Sequence, residues 1–178
     1  MTSGGEPSVE SGSGNRAIVD LHCHVLPGVD DGSASVGESK VAIGRMYAQG
    51  VRGIVVTPHV SASFLLRPNA RAGVSAALDE AWASLTTLCR AEFPDLELRR
   101  GAELMLDDPQ PDLSHSWIRL SGTRFVLVEF PGMMIPPRAA DALAALVGSG
   151  YIPVIAHPER YWNAGPDCAE PVRWKQAG

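Results

Sequence analysis

An α/β fold built on a parallel sheet is what this chain predicts, on three observations. Five short runs rich in Val, Ile and Leu are bounded by turn residues, helix-period segments separate them, and chemistry-bearing residues cluster at their C-terminal ends. Alternation of this kind sets successive strands parallel, with the helices as crossovers. Spacing alone does not separate an open sheet from a barrel. A closed barrel of such units normally takes about 250 residues, and the chain has 178.

Residues 1–16, MTSGGEPSVESGSGNR, are rich in Gly and Ser and contain no aromatic residue, so they bury too little to offset their ordering entropy. They read as a disordered tail ahead of one domain spanning 17–178. The first strand runs Ala17 to Leu21 and leads into His22, Cys23 and His24. Ser35 to Gln49 reads as a weaker helix, because Gly37, Lys40 and Gly44 blur its apolar stripe. The second strand, Gly53 to Thr57, is followed by Pro58 and His59. Asn69 to Arg90 is the clearest helix, with Val74, Ala77, Leu78, Ala81, Leu85 and Leu88 at three- and four-residue spacing, and Pro94 ends any helix. The third strand, Leu96 to Arg100, leads to Gly101, Ala102 and Glu103, and the fourth, Phe125 to Phe130, carries Glu129 near its end. A helix over Arg138 to Val147 presents Ala139, Leu143, Leu146 and Val147 on one face and stops at Gly148 and Gly150. The fifth strand, Ile152 to Ala156, leads to His157, Pro158, Glu159 and Arg160, and the chain then runs from Trp162 to Lys175-Gln176-Ala177-Gly178, ending as if in a helix that leads to a next strand.

Composition removes several classes of function. Hydrophobic residues at 45% and charged residues at 20% are ordinary globular values. A net charge of −5 leaves no general electrostatic footprint for nucleic acid. No apolar run approaches the ~20 residues that span a bilayer, and the N-terminus lacks the basic start and apolar core of a signal peptide, so a cytoplasmic protein without membrane insertion is expected. Cys23, Cys89 and Cys168 show no paired spacing and fit reduced thiols. An oligomer is compatible with all of this.

Four of the five histidines fall at strand C-terminal ends, and in parallel α/β folds those ends converge on the face where active sites are built. In an extended segment alternate side chains point the same way, so His22 and His24 face one centre while Cys23 faces the other. The turn-rich stretch Pro27 to Gly32 adds Asp30 and Asp31 near the same mouth. Mixed imidazole and carboxylate donors suit Zn²⁺, Mn²⁺ or Fe²⁺ in a hydrolytic site. Taken singly, the residues have plainer readings: His115 as a surface residue, Asp30 and Asp31 as an ordinary turn, Glu103 as a charge at a helix N-terminus. Glu129 resists such a reading, since a carboxylate within Phe125 to Phe130 is costly to bury without a cation or partner.

Three motifs resemble other chemistry and fail on context. Gly12 to Ala17 matches a dinucleotide fingerprint by letters but precedes a strand. Gly32 to Ser39 has Glu38 where a phosphate loop needs Lys. A thiol phosphatase needs Arg six positions after its Cys, where this chain has Val29, Asp95 and Trp174, so Cys23 reads as a packing residue.

The stretches Asp20 to Gly32, Thr57-Pro58-His59, Gly101-Ala102-Glu103, Val128-Glu129-Phe130 and Ile155 to Tyr161 together resemble the bacterial manganese-dependent tyrosine-protein phosphatases of the PHP superfamily, over about Ala17 to Trp162. The resemblance implies a distorted (β/α)7 barrel around up to three Mn²⁺ ions. It implies metal ligands at His22, His24, Asp31, His59, Glu103, Glu129 and His157, with Glu129 bridging two ions and Arg160 holding the substrate phosphate. The implied substrate is a phosphotyrosine-bearing protein, a bacterial tyrosine autokinase of capsule or exopolysaccharide assembly. Family members also contribute a later Asp-x-His pair and a further Arg, whereas no histidine follows His157 here. The resemblance therefore implies that the last strand units of the barrel are missing from this chain. Two alternatives stand beside the phosphatase: a histidinol-phosphatase-like phosphoesterase of the same superfamily, and an inactive metal-binding fragment. An amidohydrolase is disfavoured, because Lys40 and Lys175, the two lysines, do not follow a middle strand.

Overall fold

Strand and helix alternate as the sequence predicts, but two strands are each broken once, and the breaks shape the site. The structure, a computed structural model, describes residues 17–165 and 169–177; the expected tail and Cys168 lie outside the described residues. The strands are β1 (Ile18–Cys23), β2 (Val51–Val56), β3 (His59–Ser61), β4 (Glu97–Arg100), β5 (Glu103–Met105), β6 (Phe125–Glu129) and β7 (Ile152–Ile155). One sheet has the order β1-β2-β4 and the other β3-β5-β6-β7, with every pair parallel.

Pieces β2 and β3 flank Thr57 and Pro58, and pieces β4 and β5 flank Gly101 and Ala102. The pairing carries across both gaps, through Gly101 N–H to the Val56 carbonyl and Glu103 N–H to the Pro58 carbonyl, each 3.0 Å. Pro58 has no N–H to donate to a ladder, which explains the first break. At the second, a Cβ on Gly101 would lie 3.0 Å from Val55 and 3.1 Å from Leu120, so the close approach there requires glycine. The sequence presents β2 and β4 as single runs; the three-residue pieces β3 and β5 beyond the turn residues are too short to show a period.

Helices α1 (Val36–Ala48), α2 (Ala62–Leu65), α3 (Pro68–Glu92), α4 (Ala139–Gly148) and α5 (Ala169–Ala177) complete the described chain. The weak apolar stripe of α1 is offset by its start: Ser35 Oγ accepts from the Glu38 N–H at 3.3 Å while the Glu38 carboxylate accepts from the Ala34 N–H at 3.0 Å. Helix α3 buries Leu78, Ala81 and Leu85 of the stripe its spacing predicts and Cys89 in addition, with Val74 and Leu88 half-buried and Ala77 exposed. These side chains, Ile43 of α1 and Leu143 and Leu146 of α4 enclose one core with Ile54, Val56, Leu104, Val126 and Val128 of the sheets. No helix among the described residues is long and apolar enough to cross a membrane.

A parallel strand rich in Val, Ile and Leu is ordinarily buried on both faces, and β1 is not. It pairs with β2 on one side, and Ile18, Val19 and Leu21 are 51%, 56% and 57% exposed. A run of apolar letters does not distinguish an edge strand from a central one, because the neighbour that covers it lies elsewhere in the chain. Replacing Leu85, which is 0% exposed, by Ala should lower unfolding free energy by about 2–5 kcal/mol in urea denaturation. A loss well under 1 kcal/mol would show that α3 does not close the core as described.

Candidate metal centre

Each chemistry-bearing side chain is delivered by a strand end or by a break between strands. His22 lies in β1, His24 just beyond it, His59 opens β3, Glu103 opens β5, Glu129 closes β6, and His157 follows β7 after Ala156. Register does the alignment, since His59 pairs with Glu103 and Met105 with Glu129 across neighbouring strands. Thr57, fully buried at the first break, accepts the Cys23 N–H on Oγ1 at 3.0 Å and donates its own N–H to the Cys23 carbonyl at 2.9 Å. It thereby pins the backbone between His22 and His24.

Glu103 is the centre of the cluster and is 1% exposed. Its Oε2 lies 3.0 Å from both His22 Nε2 and His24 Nε2 and 3.4 Å from His59 Nδ1, and its Oε1 lies 2.7 Å from His157 Nε2. Glu129 faces the same space, with Oε1 3.0 Å from His59 Nδ1 and Oε2 3.7 Å from His157 Nε2. The helix-terminus reading of Glu103 is therefore replaced by a buried strand residue among four imidazoles.

Asp31 sits at the rim, its side chain 84% exposed and 3.4 Å from His59 Nε2. Its neighbour Asp30, whose side chain is 4% exposed, has a different position, one the sequence alone left as part of a turn. Asp30 Oδ2 accepts from His24 Nδ1 at 2.9 Å and from the His59 N–H at 3.2 Å, while Oδ1 accepts from the Gly32 N–H at 3.0 Å. With Nδ1 engaged, the Nε2 lone pair of His24 is free to face Glu103 and His22, the arrangement by which a carboxylate orients a ligand imidazole. Gly32 makes the loop tight enough for this, because a Cβ there would lie 2.1 Å from the His24 carbonyl oxygen. Arg160 is exposed in the 3₁₀ turn Pro158–Arg160, immediately after His157. His157 adopts a left-handed backbone, φ 31°, at a cost of about 1–3 kcal/mol for a non-glycine residue. Tyr161 supports that turn by accepting the Phe130 N–H at 3.1 Å and packing beside the His157 ring. His115 is exposed beside Trp117, away from the cluster.

The donor set fits a divalent cation. His22 Nε2, His24 Nε2 and Glu103 Oε2 form a triangle with sides of 3.1, 3.0 and 3.0 Å, close to the ~3 Å separation of adjacent ligands about 2.1 Å from one ion. Three groups bring candidate ligand atoms within 4.8 Å of one another: His22, His24 and Glu103; His24, Asp31 and His59; His59, Glu103 and Glu129. His59 Nδ1 and His157 Nδ1 are buried without an aligned hydrogen-bond partner. The 3.0 Å contact of His59 Nδ1 with Glu129 is thus close but misdirected, as two lone pairs facing a shared cation would be.

Electrostatics in the metal-free protein point the same way. Hydrogen bonds to Asp30 and then to Glu103, working against burial, push His24 up to about 10, and Glu129 raises His59. Burial works to raise the Glu103 carboxyl, yet hydrogen bonds from His22 and His24 outweigh it and hold it well below the usual carboxylate range. Protons on the imidazoles thus occupy the place of a cation. Burial, reinforced by the carboxylates of Asp20 and Asp30, pushes the Cys23 thiol up to about 12, and burial pushes Cys89 up to about 11. Both stay protonated at neutral pH, which makes neither of these two a thiolate nucleophile.

Comparison with known proteins converges on one family. Residues 18–173 match the model described as capsular polysaccharide synthesis, CpsB/CapC. The chain is 34% identical over 145 residues to the tyrosine-protein phosphatase YwqE of Bacillus subtilis, covering 80% of this chain and 55% of that protein. It is 31% identical over 146 residues to the tyrosine-protein phosphatase CpsB of Streptococcus pneumoniae, covering 81% of this chain and 58% of that protein. A chain from the crystal structures of YwqE and CpsB, described as unique metal-dependent tyrosine phosphatases, superposes with a TM-score of 0.75 at 31% identity, covering 90% of this chain and 64% of that one. The chain thus spans a little over half the length of these curated relatives.

Two outcomes follow for the cluster. Asp30→Asn should leave the fold intact by circular dichroism and weaken Mn²⁺ or Zn²⁺ binding about 10–100-fold in calorimetric titration; unchanged affinity would show that Asp30 does not orient His24. Because the folded His24 value is raised from 6.5 to about 10, the stability it contributes is complete below pH 6.5 and is lost as pH rises through 10. The metal-free protein should therefore melt at progressively lower temperature across that window, while metal binding releases protons in buffers of different ionisation enthalpy. Binding without proton release would contradict this.

Proposed function

Because the chain belongs to the CpsB/CapC family of capsular polysaccharide synthesis, we propose that it is a metal-dependent protein-tyrosine phosphatase of the PHP type. The observation that carries this reading is the convergence of four imidazoles on the buried carboxylate of Glu103, with Glu129 beside it. We read the two linked parallel sheets as part of a distorted (β/α)7 barrel, folded as one domain over 17–178. His22, His24, Asp31, His59, Glu103, Glu129 and His157 would hold up to three Mn²⁺ ions. When bound, divalent cations here would screen the phosphate charge and acidify a nucleophilic water.

The chain's own residues account for the rest of the reaction. Asp30 fixes the tautomer and angle of His24, and Thr57 fixes the backbone between the paired histidines. Arg160, exposed in the turn after His157, would grip the non-bridging phosphate oxygens with its planar guanidinium. Overall, the phosphorus–oxygen bond to the phenol breaks as one to the water oxygen forms, leaving tyrosine and inorganic phosphate. Neither Cys23 nor Cys89 enters, and water attack needs no phosphoenzyme. The names of the relatives support a phosphotyrosine-bearing protein as substrate, and we propose a cytoplasmic tyrosine autokinase of polysaccharide assembly.

The test is Mn²⁺-dependent hydrolysis of p-nitrophenyl phosphate by the full chain. Replacing His22 and His24 together by Ala should lower turnover at least about a hundredfold, and Arg160→Ala should mainly raise KM. Undiminished turnover in the double variant would overturn the assignment.

A further inference from the structure

A cleft of about 620 Å³ opens directly from the cluster, with His59 and Glu129 at one end. Its volume lies in the range of small-molecule sites, and away from that end its walls are apolar, among them Val29, Phe64, Met105 and Met133. The sheet explains why the two chemistries adjoin. Met105 follows Glu103 by two residues on the same face of β5, about 7 Å farther toward the strand's C-terminal end. It also stands beside Glu129 in register.

The opposite walls are built less economically. Phe64 projects from the short helix α2 and is 47% exposed, an uncommon cost for a large aromatic side chain beside a polar centre. Asp107 fixes α2 by accepting from the Ser63 N–H at 2.8 Å and from the hydroxyls of Ser61 and Ser63 at 2.5 and 2.6 Å. Met133 has a left-handed backbone, φ 54°, directly after Gly132 at φ 63°. That strained turn is held from outside by the loop after β7: the Trp162 N–H donates to the Met133 carbonyl at 3.1 Å, and Asn163 bonds both the N–H and the carbonyl of Ile135 at 2.8 and 2.9 Å. Strain maintained at the wall of a cleft is characteristic of ligand-shaping loops.

We propose that this cleft seats the aromatic ring of an aryl phosphate between Phe64, Met105 and Met133, and so selects phosphotyrosine over phosphoserine and phosphothreonine. The inference rests on the phosphatase reading above and adds the residues that set its specificity. The phosphate would lie toward His59 and Glu129, where cations are expected, and the ester oxygen would lead the ring into the apolar part. Phe64 offers an aromatic face and the two methionines offer polarisable thioethers, both favourable against a phenyl ring. An alkyl phosphate would place the same phosphate but leave these walls wet.

The experiment compares phenylphosphonate with methylphosphonate, two non-hydrolysable ligands with the same anionic head, by calorimetric titration into the Zn²⁺-loaded full chain. The wild type should bind phenylphosphonate at least about tenfold more tightly. Phe64→Ala and Met133→Ala should bring that ratio to within about threefold while leaving methylphosphonate binding unchanged. All three contact side chains are at least partly exposed, and thermal melting of each variant checks that the fold is kept. Equal binding of the two ligands by the wild type, or a ratio that survives both substitutions, would overturn the assignment of the cleft. If the wild type hydrolyses phosphotyrosine and yet shows no preference for the phenyl group, the cleft assignment alone fails. If neither phosphonate binds and no phosphotyrosine is hydrolysed, the phosphatase reading fails and takes the cleft with it.

Discussion

One buried carboxylate constrains the rest of this molecule. Glu103 is 1% exposed, and an ionised carboxylate taken out of water persists only where positive charge or strong donors compensate it. Imidazoles from His22, His24, His59 and His157 supply that compensation in the metal-free protein. They come from three separate places in the chain, so with Glu103 itself the fold must bring four strand termini to one point. A cation would do the same work, with the ring nitrogens that face it offering their lone pairs.

The breaks in the strands are what make this possible. An uninterrupted ladder would keep His59 and Glu103 in the plane of continuous sheets, whereas the turns at Thr57-Pro58 and Gly101-Ala102 let the paired strands change course while β3 and β5 remain in register. Gly32 and Asp30 then fold the loop after β1 against His24. The same outward continuation of β5 that follows Glu103 supplies Met105, so the polar centre and the apolar cleft are consecutive rows of one face.

Much of this was legible in the sequence, for local reasons. The major helices and the five strand runs follow from period and turn chemistry, and His22-Cys23-His24 announces itself because alternation in an extended segment is a short-range property. Glu129 could be singled out by the cost of burying a charge inside an apolar run. Long-range placement was not legible. The sequence does not show that β1 is exposed, that β2 and β4 each resume after a break, or that Asp30 and not Asp31 is the buried partner of His24, since both sit in the same turn. The one sequence signal for Asp30 is its place directly before Asp31, where a carboxylate can reach an imidazole Nδ1. Phe64 and Met133 gave no signal at all, being distant in sequence and meeting only across the cleft.

The most direct test of the central claim is anomalous diffraction from crystals of the full chain grown with Mn²⁺, recorded on either side of the manganese absorption edge. The account predicts at least one anomalous peak about 2.0–2.3 Å from the Glu103 carboxylate and the imidazoles around it, lost when Glu103 is replaced by Gln. A fully loaded protein with peaks elsewhere and none at Glu103 would contradict it.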